Sequence, residues 1–359
     1  MERKKYKLSD LLTIKNGRDY KHLEEGNIPV FGSGGYMLSR SSFLYDKPSI
    51  LLPRKGTLSN IQYYNKGKFW TVDTCFYSII NDELCDGYYL YRYLRNLDLS
   101  RYDTGASIPS MTQKTYNKIK VFLPSLPTQQ KISSILSSYD RLIENNTRRI
   151  RLLEQMAENL YKEWFVRFRF PEHEKVEMVN GLPKGWKINS LKEICEFKRG
   201  RNITSAEMCD GIIQVISAGV APSGYHNKAN VHCVSVTMSS SGANAGYISI
   251  HYDDIWAADC SYISEKETED IYYVYELLNN IRQVINNFQI GAAQPHVYPK
   301  DINRIKTCVP PKELRIKANT NLSKIHKEIH KLYKQNQLLT HQRDLLLPRL
   351  MSGKLEVKS

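Results

Sequence analysis

IKVFLPSLPTQQKISSILSSYDRLIENNTRRIRLL, residues 119–153, returns as IKTCVPPKELRIKANTNLSKIHKEIHKLYKQNQLL, residues 305–339. Ile119, Lys120, Pro124, Leu136, Ile143 and Leu153 face Ile305, Lys306, Pro310, Leu322, Ile329 and Leu339, always 186 positions on. The offset holds upstream: Gly56, Trp70 and Asp73 face Gly242, Trp256 and Asp259, and Gly105, Ala106 and Pro109 face Gly291, Ala292 and Pro295. Nearer the N-terminus it slips to 180–183, with Tyr6-Lys-Leu facing Trp186-Lys-Ile and Ile14-Lys-Asn-Gly17 facing Phe197-Lys-Arg-Gly200. Solenoid units are about 20–50 residues long, so this period is a duplicated domain plus its connector. Two similar halves present two similar surfaces and suit a partner with two similar sites.

Each copy of the quoted stretch reads as a long helix. Apolar residues fall at 132, 135/136, 139, 142/143, 150, 153, 156/157, 160 and 164, which predicts a helix from about Thr128 to Phe165. At ~1.5 Å per residue it spans about 54 Å. Leu322, Ile325, Ile329, Leu332, Leu339 and Leu346 predict a second, from about Lys312 to Leu347. Stripes this narrow need a partner. The simplest partner for each is the other, in a coiled coil whose seam holds Ile132, Leu136, Ile143, Asn146, Leu153, Leu322, Ile329, Asn336 and Leu339. Asn146 and Asn336 would act as polar register devices. The rival arrangement packs each helix separately on its own domain. Halves related by a two-fold axis lay the helices antiparallel, as a spacer with one head at each end.

The segments between the helices read as short strands and turns. Ser49–Leu52 lies between Pro48 and Pro53, and Asn60–Tyr64 and Phe69–Ile80 are rich in β-branched and aromatic residues. Phe31–Tyr36 is a glycine turn. Val231–Met238, Ala245–Ile250 and Ala257–Ile263 read as strands of the second copy, and Asp86–Asn96 and Ile271–Phe288 as helices. The expected fold is α+β: two similar mixed α/β domains at 1–126 and 171–310, and spacer helices within 127–170 and 311–359.

At 359 residues the chain fits two domains. No run approaches 18 apolar residues and no signal peptide opens the chain, so a cytoplasmic protein is expected. The seven cysteines are scattered without close pairs, which predicts buried free thiols rather than a metal or redox motif. The net charge of +14 suggests a polyanionic partner. Its distribution is uneven: +7 over residues 1–126, +3 over 127–170, −3 over 171–310 and +7 over 311–359. A second domain that touches nucleic acid therefore needs a local basic face, and Lys198-Arg199-Gly200-Arg201 is the candidate.

Four stretches resemble one family. They are Leu123-Pro-Ser-Leu-Pro-Thr-Gln-Gln-Lys-Ile132 with Ile135, Leu136 and Asp140; Leu160-Tyr-Lys-Glu-Trp-Phe-Val-Arg-Phe-Arg-Phe-Pro171; Gly181-Leu-Pro-Lys-Gly-Trp186; and Leu345-Leu-Leu-Pro-Arg-Leu-Met-Ser-Gly-Lys-Leu355. Together they resemble the specificity (S) subunit of type I restriction–modification systems. The resemblance implies two target-recognition domains, each reading one half of a split double-stranded DNA sequence. It implies helices that set the distance between the halves and bind two modification (methyltransferase) subunits, with motor-nuclease subunits joining for restriction. The second helix departs from the pattern, since Pro310-Pro-Lys-Glu-Leu-Arg-Ile lacks the Gln-Gln of the first copy.

Base reading needs donors and acceptors at groove edges, and phosphate contact needs cations or small polar groups. The loop Pro53–Asn60 offers Arg54, Lys55, Thr57 and Ser59 around Gly56; its duplicate, Met238–Gly246, offers Ser239, Ser240 and Asn244 around Gly242. A second repeated pair of loops offers Ser107 and Gln294. Lys15, Arg18, Lys198, Arg199 and Arg201, just after a predicted helix in each half, are candidates for phosphate. Trp70 and Trp256 with Asp73 and Asp259 read as core and turn residues. His326 and His330 read as a solvated helix face.

No phosphate loop, dinucleotide fingerprint or metal spacing is present, so no catalytic residue, cofactor or metal is expected and enzymatic activity would belong to partners. Half-sites are expected on one face of the duplex, about one turn or ~34 Å apart. Three rival readings stay open: a coiled-coil scaffold for protein partners, the specificity subunit of a related restriction system, and a self-contained nuclease or methyltransferase.

Overall fold

The computed structural model describes residues 2–105, 107–287 and 296–357. They form two compact units, Met1–Glu144 with Gln337–Ser359, and Asn145–Asn336. The first unit holds a four-stranded antiparallel sheet in the order Leu12–Lys15, Cys75–Ile80, Ser49–Pro53, Gln62–Tyr64. A three-stranded sheet follows the order Gly35–Arg40, Ile28–Gly32, Trp70–Thr71, its last pair parallel. A two-stranded ladder joins Lys4–Lys7 to Lys120–Leu123. Ser49–Pro53 is buried at every position, as an apolar central strand must be.

The second unit repeats this plan. Its sheets run Lys198–Arg199, Cys260–Ser264, Ser235–Ser239, Ile248–His251, and Gly224–His226, Ile213–Ile216, Ile255–Ala257. Its ladder joins Lys187–Ser190 to Lys306–Val309. The ladders correct the alignment of the N-terminal strands. Lys7 pairs with Lys120 where Ser190 pairs with Lys306, and Leu8 N–H reaches Ile119 O where Leu191 N–H reaches Ile305 O. The shift there is 183, as it is for Gly17 and Gly200, and Tyr6 does not correspond to Trp186.

The long helices run Leu126–Tyr161 and Lys312–Ser352. The first starts two residues early because Pro127 fits the first turn, where its missing N–H is orphaned anyway. It ends in a π-turn, Lys162–Val166, that buries Trp164 and Phe165 beside Trp186. The second continues past Leu347 through Pro348, since Leu350 and Met351 are held in the first unit's core.

Each unit takes a segment of both helices. In the first, Ile132 and Leu136 share a core with Leu90, Leu94, Leu350 and Met351. In the second, Ile150, Ala157, Leu322, Ile329 and Leu332 share a core with Tyr273 and Leu277. Mutual packing and domain packing, set against each other as rivals, therefore coexist. In the second unit the antiparallel sense is explicit: Asn146 donates to Asn336 Oδ1 (3.0 Å) and Arg149 pairs with Glu328 (2.9 Å).

A short helix docks each domain on these segments. Gly87–Arg95 is capped by Asp86, which accepts from Tyr89 N–H at 2.8 Å. Its counterpart Ile271–Asn280 is shorter than expected, and Arg282–Asn287 follows as a separate helix. Asn279 turns its amide onto Tyr275 O (3.0 Å), competing with the helical ladder next to the break. Phe288 lies outside the described residues. The strand expected over 257–263 is two strands, and those over 231–238 and 245–250 shorten to 235–239 and 248–251.

Two expectations about polar groups change. Cys75, Cys85, Cys195 and Cys260 are buried free thiols, with burial pushing each up to about 12, but Cys209 and Cys233 are exposed. His326 is not solvated: only 2% of its surface is exposed. It stacks on Tyr272, meets Tyr252 Oη at Nδ1 (2.8 Å) and meets Glu276 at Nε2 (3.2 Å). The helix Ile271–Asn280 covers that face.

His251 sets a pH dependence. Burial lowers its pKa to about 4, and its Nε2 lies 2.8 Å from Thr237 Oγ1. The unfolded chain binds the proton near pH 6.5, so stability is full above that pH and falls as pH drops toward 4. The loss reaches about 2–3 kcal/mol. His251→Gln should flatten the dependence of the second unit's stability over pH 6.5–4; an unchanged slope would contradict this account.

Candidate nucleic-acid interface

Three segments of the first unit converge on the turn 71–75. Arg18 N–H donates to Thr71 O (2.9 Å), and Arg54 N–H donates to Thr74 O (2.8 Å). The loop 103–110 joins through a bridge between Lys55 and Ser110, with Gly56 N–H to Pro109 O (2.9 Å) and Met111 N–H to Arg54 O (3.0 Å). Asp103 organises that loop by accepting from Gly105 and Ser110 N–H (2.8 Å each), which hold its carboxyl below the usual range.

The second unit builds the same junction. Arg201 N–H donates to Ala257 O and Gly200 N–H to Cys260 O, both at 2.9 Å. The bridge falls between Ser241 and His296, each 186 positions beyond Lys55 and Ser110, with Val297 N–H to Ser240 O at 3.0 Å. Gly56 and Gly242 share a positive φ, +91° and +73°, which a side chain rarely adopts. Trp70 and Trp256 brace the entry strands by donating to Arg18 O (2.8 Å) and Arg201 O (2.9 Å).

Gly17 and Gly200 permit the close approach. A Cβ would stand 2.0 Å from Val72 O in one and 2.2 Å from Ala258 O in the other. Both neighbours are backbone, so Gly17→Ala and Gly200→Ala should each cost about 2–4 kcal/mol. Urea unfolding measures this; a loss under about 0.5 kcal/mol would show that the junction yields.

The side chains differ between the halves. In the first, Lys15, Arg18, Arg54, Lys55, Thr57, Ser59 and Ser107 are all exposed. Among the described residues none of these four cations forms an ion pair; Arg54 only reaches Asp73 O at 3.3 Å. In the second, Arg199 is held by Asp259 (2.5 Å) and Lys198 by Glu267 (2.8 Å), while Arg201 is exposed. Asp259 also accepts from Ser241 Oγ (2.8 Å). Lys15, Lys198 and Arg199 stand on strands that follow the short helical segments Leu8–Leu11 and Leu191–Glu193.

Ser239 and Ser240 do not fit a groove-facing role as they stand. They are 3% and 0% exposed, because Ser239 ends a fully buried strand. Asn244 is exposed on the short turn Gly242–Asn244. Gln294 lies outside the described residues.

The structure adds residues that the sequence reading passed over. The hairpin tip Ser33–Tyr36 packs beside the first loop: Asn60 donates to Ser33 O (2.7 Å), and Tyr36 is 63% exposed. His296 and Tyr298 stack at 5.6 Å in the second unit, with the Arg199 guanidinium 5.7 Å from the Tyr298 ring. The repeat pointed at Ser110 and His296, since each follows directly on a repeated proline.

Of the expected seam residues, Ile132, Leu136, Asn146, Leu322 and Ile329 are buried, and Ile143, Leu153, Asn336 and Leu339 are half-buried. Ile132, Leu136, Ile143 and Leu339 belong to the first unit and the others to the second.

The sequence profile described as type I restriction modification DNA specificity domain matches residues 2–155 and again 183–344. The chain belongs to this family. It is the DNA specificity subunit of a type I restriction–modification system. The specificity subunit of the type I enzyme MjaIX from Methanocaldococcus jannaschii is 24% identical over 348 residues, covering 88% of this chain and 79% of that protein. The HindI specificity subunit of Haemophilus influenzae is 23% identical over 340 residues, covering 69% and 72%. The crystal structure of the S subunit from M. genitalium shares the fold, with a TM-score of 0.72, 20% identity and coverage of 97% of this chain and 96% of that one. Among the described residues no helix of this specificity subunit is long and apolar enough to cross a membrane, and no group of His, Cys, Asp or Glu could hold a metal ion.

Proposed function

We propose that each recognition domain reads one half of a bipartite double-stranded DNA target through its three-segment junction. The two long helices set the spacing of the halves and dock two modification subunits, and motor-nuclease subunits complete the restriction complex. The subunit is non-catalytic by itself. The observation that carries this reading is the duplicated junction. One backbone frame, with glycines at 17 and 200 and at 56 and 242, displays different side chains in each copy. Backbone repetition supplies the same approach to a duplex, and side-chain divergence supplies two different base preferences.

The test is selection from a randomised duplex pool by the full chain with its modification subunit. The expected motif is split, with two conserved blocks about a helical turn apart and an unconserved gap. A single continuous motif would contradict the proposal.

A further inference from the structure

The interfaces that dock the two domains on their helix segments occupy equivalent positions, and the acid–base pair at the centre of each has the opposite polarity. In the first unit Arg92, on the docking helix, pairs with Asp140 of the long helix, and Lys66 of the domain pairs with Glu144. Tyr88 also donates to Asp140. The docking helices align as Tyr88-Tyr-Leu-Tyr-Arg92 on Tyr272-Tyr-Val-Tyr-Glu276, and the 186-residue repeat puts Asp140 on His326. The second unit thus has an acid on the domain, Glu276, and a basic group on the helix, His326, at 3.2 Å with 6% and 2% of the side chains exposed. Asp270 of that domain, itself buried, pairs with the half-buried Arg315 of the helix (2.9 Å). At that position the first unit uses the neutral groups Gln129 and Ser133 around Asp86.

We propose that this reversal is a sorting code: each recognition domain is keyed to its own helix segment by polarity, and neither segment accepts the other domain. A second domain set on the first segment would bring Glu276 against Asp140, two acids in a site where Arg92 is 7% exposed. Burying like charges is worse than losing a pair, so the wrong match is rejected and not merely unrewarded. In the second unit Asp253, Glu269, Asp270 and Glu276 of the domain lie against His330, Lys334, Lys312, Arg315 and His326 of the helix.

The test uses the full chain and reads the thermal midpoint together with amide exchange in Gly87–Arg95. Arg92→Met removes the charge, and Arg92→Glu installs the second unit's residue. Arg92→Glu should lower the midpoint by about 10 °C more than Arg92→Met, and added salt should narrow the gap. The triple change Arg92→Glu, Asp140→His, Arg343→Ala transplants the second unit's set, since Ala157 stands where the repeat places Arg343. It should recover most of that loss and restore exchange protection. If Arg92→Glu yields no folded protein, a folded triple variant carries the same support. Equal effects of Arg92→Glu and Arg92→Met would overturn the proposal, as would a triple variant no better than Arg92→Glu alone.

Discussion

Asp140→Ala should destabilise the first unit by about 3–5 kcal/mol. Asp140 gathers three donors: Arg92, Tyr88 and, at 2.8 Å, Arg343. Burial works against its charge, but the hydrogen bonds from Tyr88 and Arg343 and the field of Arg92 win and keep its carboxyl below the usual range. Removing the carboxylate leaves the Arg92 guanidinium buried with Tyr88 as its hydrogen-bond partner and no counter-ion. The same interaction gives a pH signature. A depressed carboxyl stabilises fully above its unfolded pKa of about 4, and the contribution is lost as pH falls through the folded value. Urea unfolding of wild type and Asp140→Ala should therefore converge at strongly acidic pH. A loss below about 1 kcal/mol at neutral pH would show that the three donors do not depend on this acid.

Arg54→Ala and Lys55→Ala should each weaken binding of the assembled complex about tenfold for every DNA sequence alike, and each should reduce the salt slope by about 1. Both side chains are exposed and, among the described residues, outside any ion pair, so a phosphate can take them without displacing a carboxylate. Lys198→Ala and Arg199→Ala should have smaller effects, within about threefold. Glu267 and Asp259 already hold those cations, and phosphate contact must first break the pairs. Salt-dependent binding titrations measure the asymmetry. Equal losses in the two halves would mean that Glu267 and Asp259 release their partners when DNA arrives.

Much of this architecture was readable before any coordinates. A constant 186-residue offset is a statement about three-dimensional equivalence, and it locates matching bridges at Lys55–Ser110 and Ser241–His296. Heptad spacing found the long helices, and placing Asn146 and Asn336 on the apolar stripes anticipated residues that meet at 3.0 Å. At the N-terminus the likeness of Trp186 to Tyr6 misleads, because strand pairing is fixed by backbone register and not by side-chain likeness. The burial of Ser239 and Ser240 is hard to read from sequence for a related reason. Serine is common on exposed loops, yet here the buried strand runs on to residue 239. His326 was hidden because a helix stripe records hydrophobicity, and a histidine buried on that stripe needs a long-range partner, Glu276, that lies 50 residues away in sequence. The hairpin tip at Tyr36 carries no local mark of its nearness to the loop 54–60.

The most direct measurement exchanges the polar groups of one junction only. Thr57, Ser59 and Ser107 are replaced by alanine, and the target of the assembled methyltransferase is read by sequencing methylated sites from a random library. One block of the motif should relax or change while the other block and the gap keep their sequence and length. Simultaneous change in both blocks, or no change in either, would contradict two independent readers on a shared helical frame.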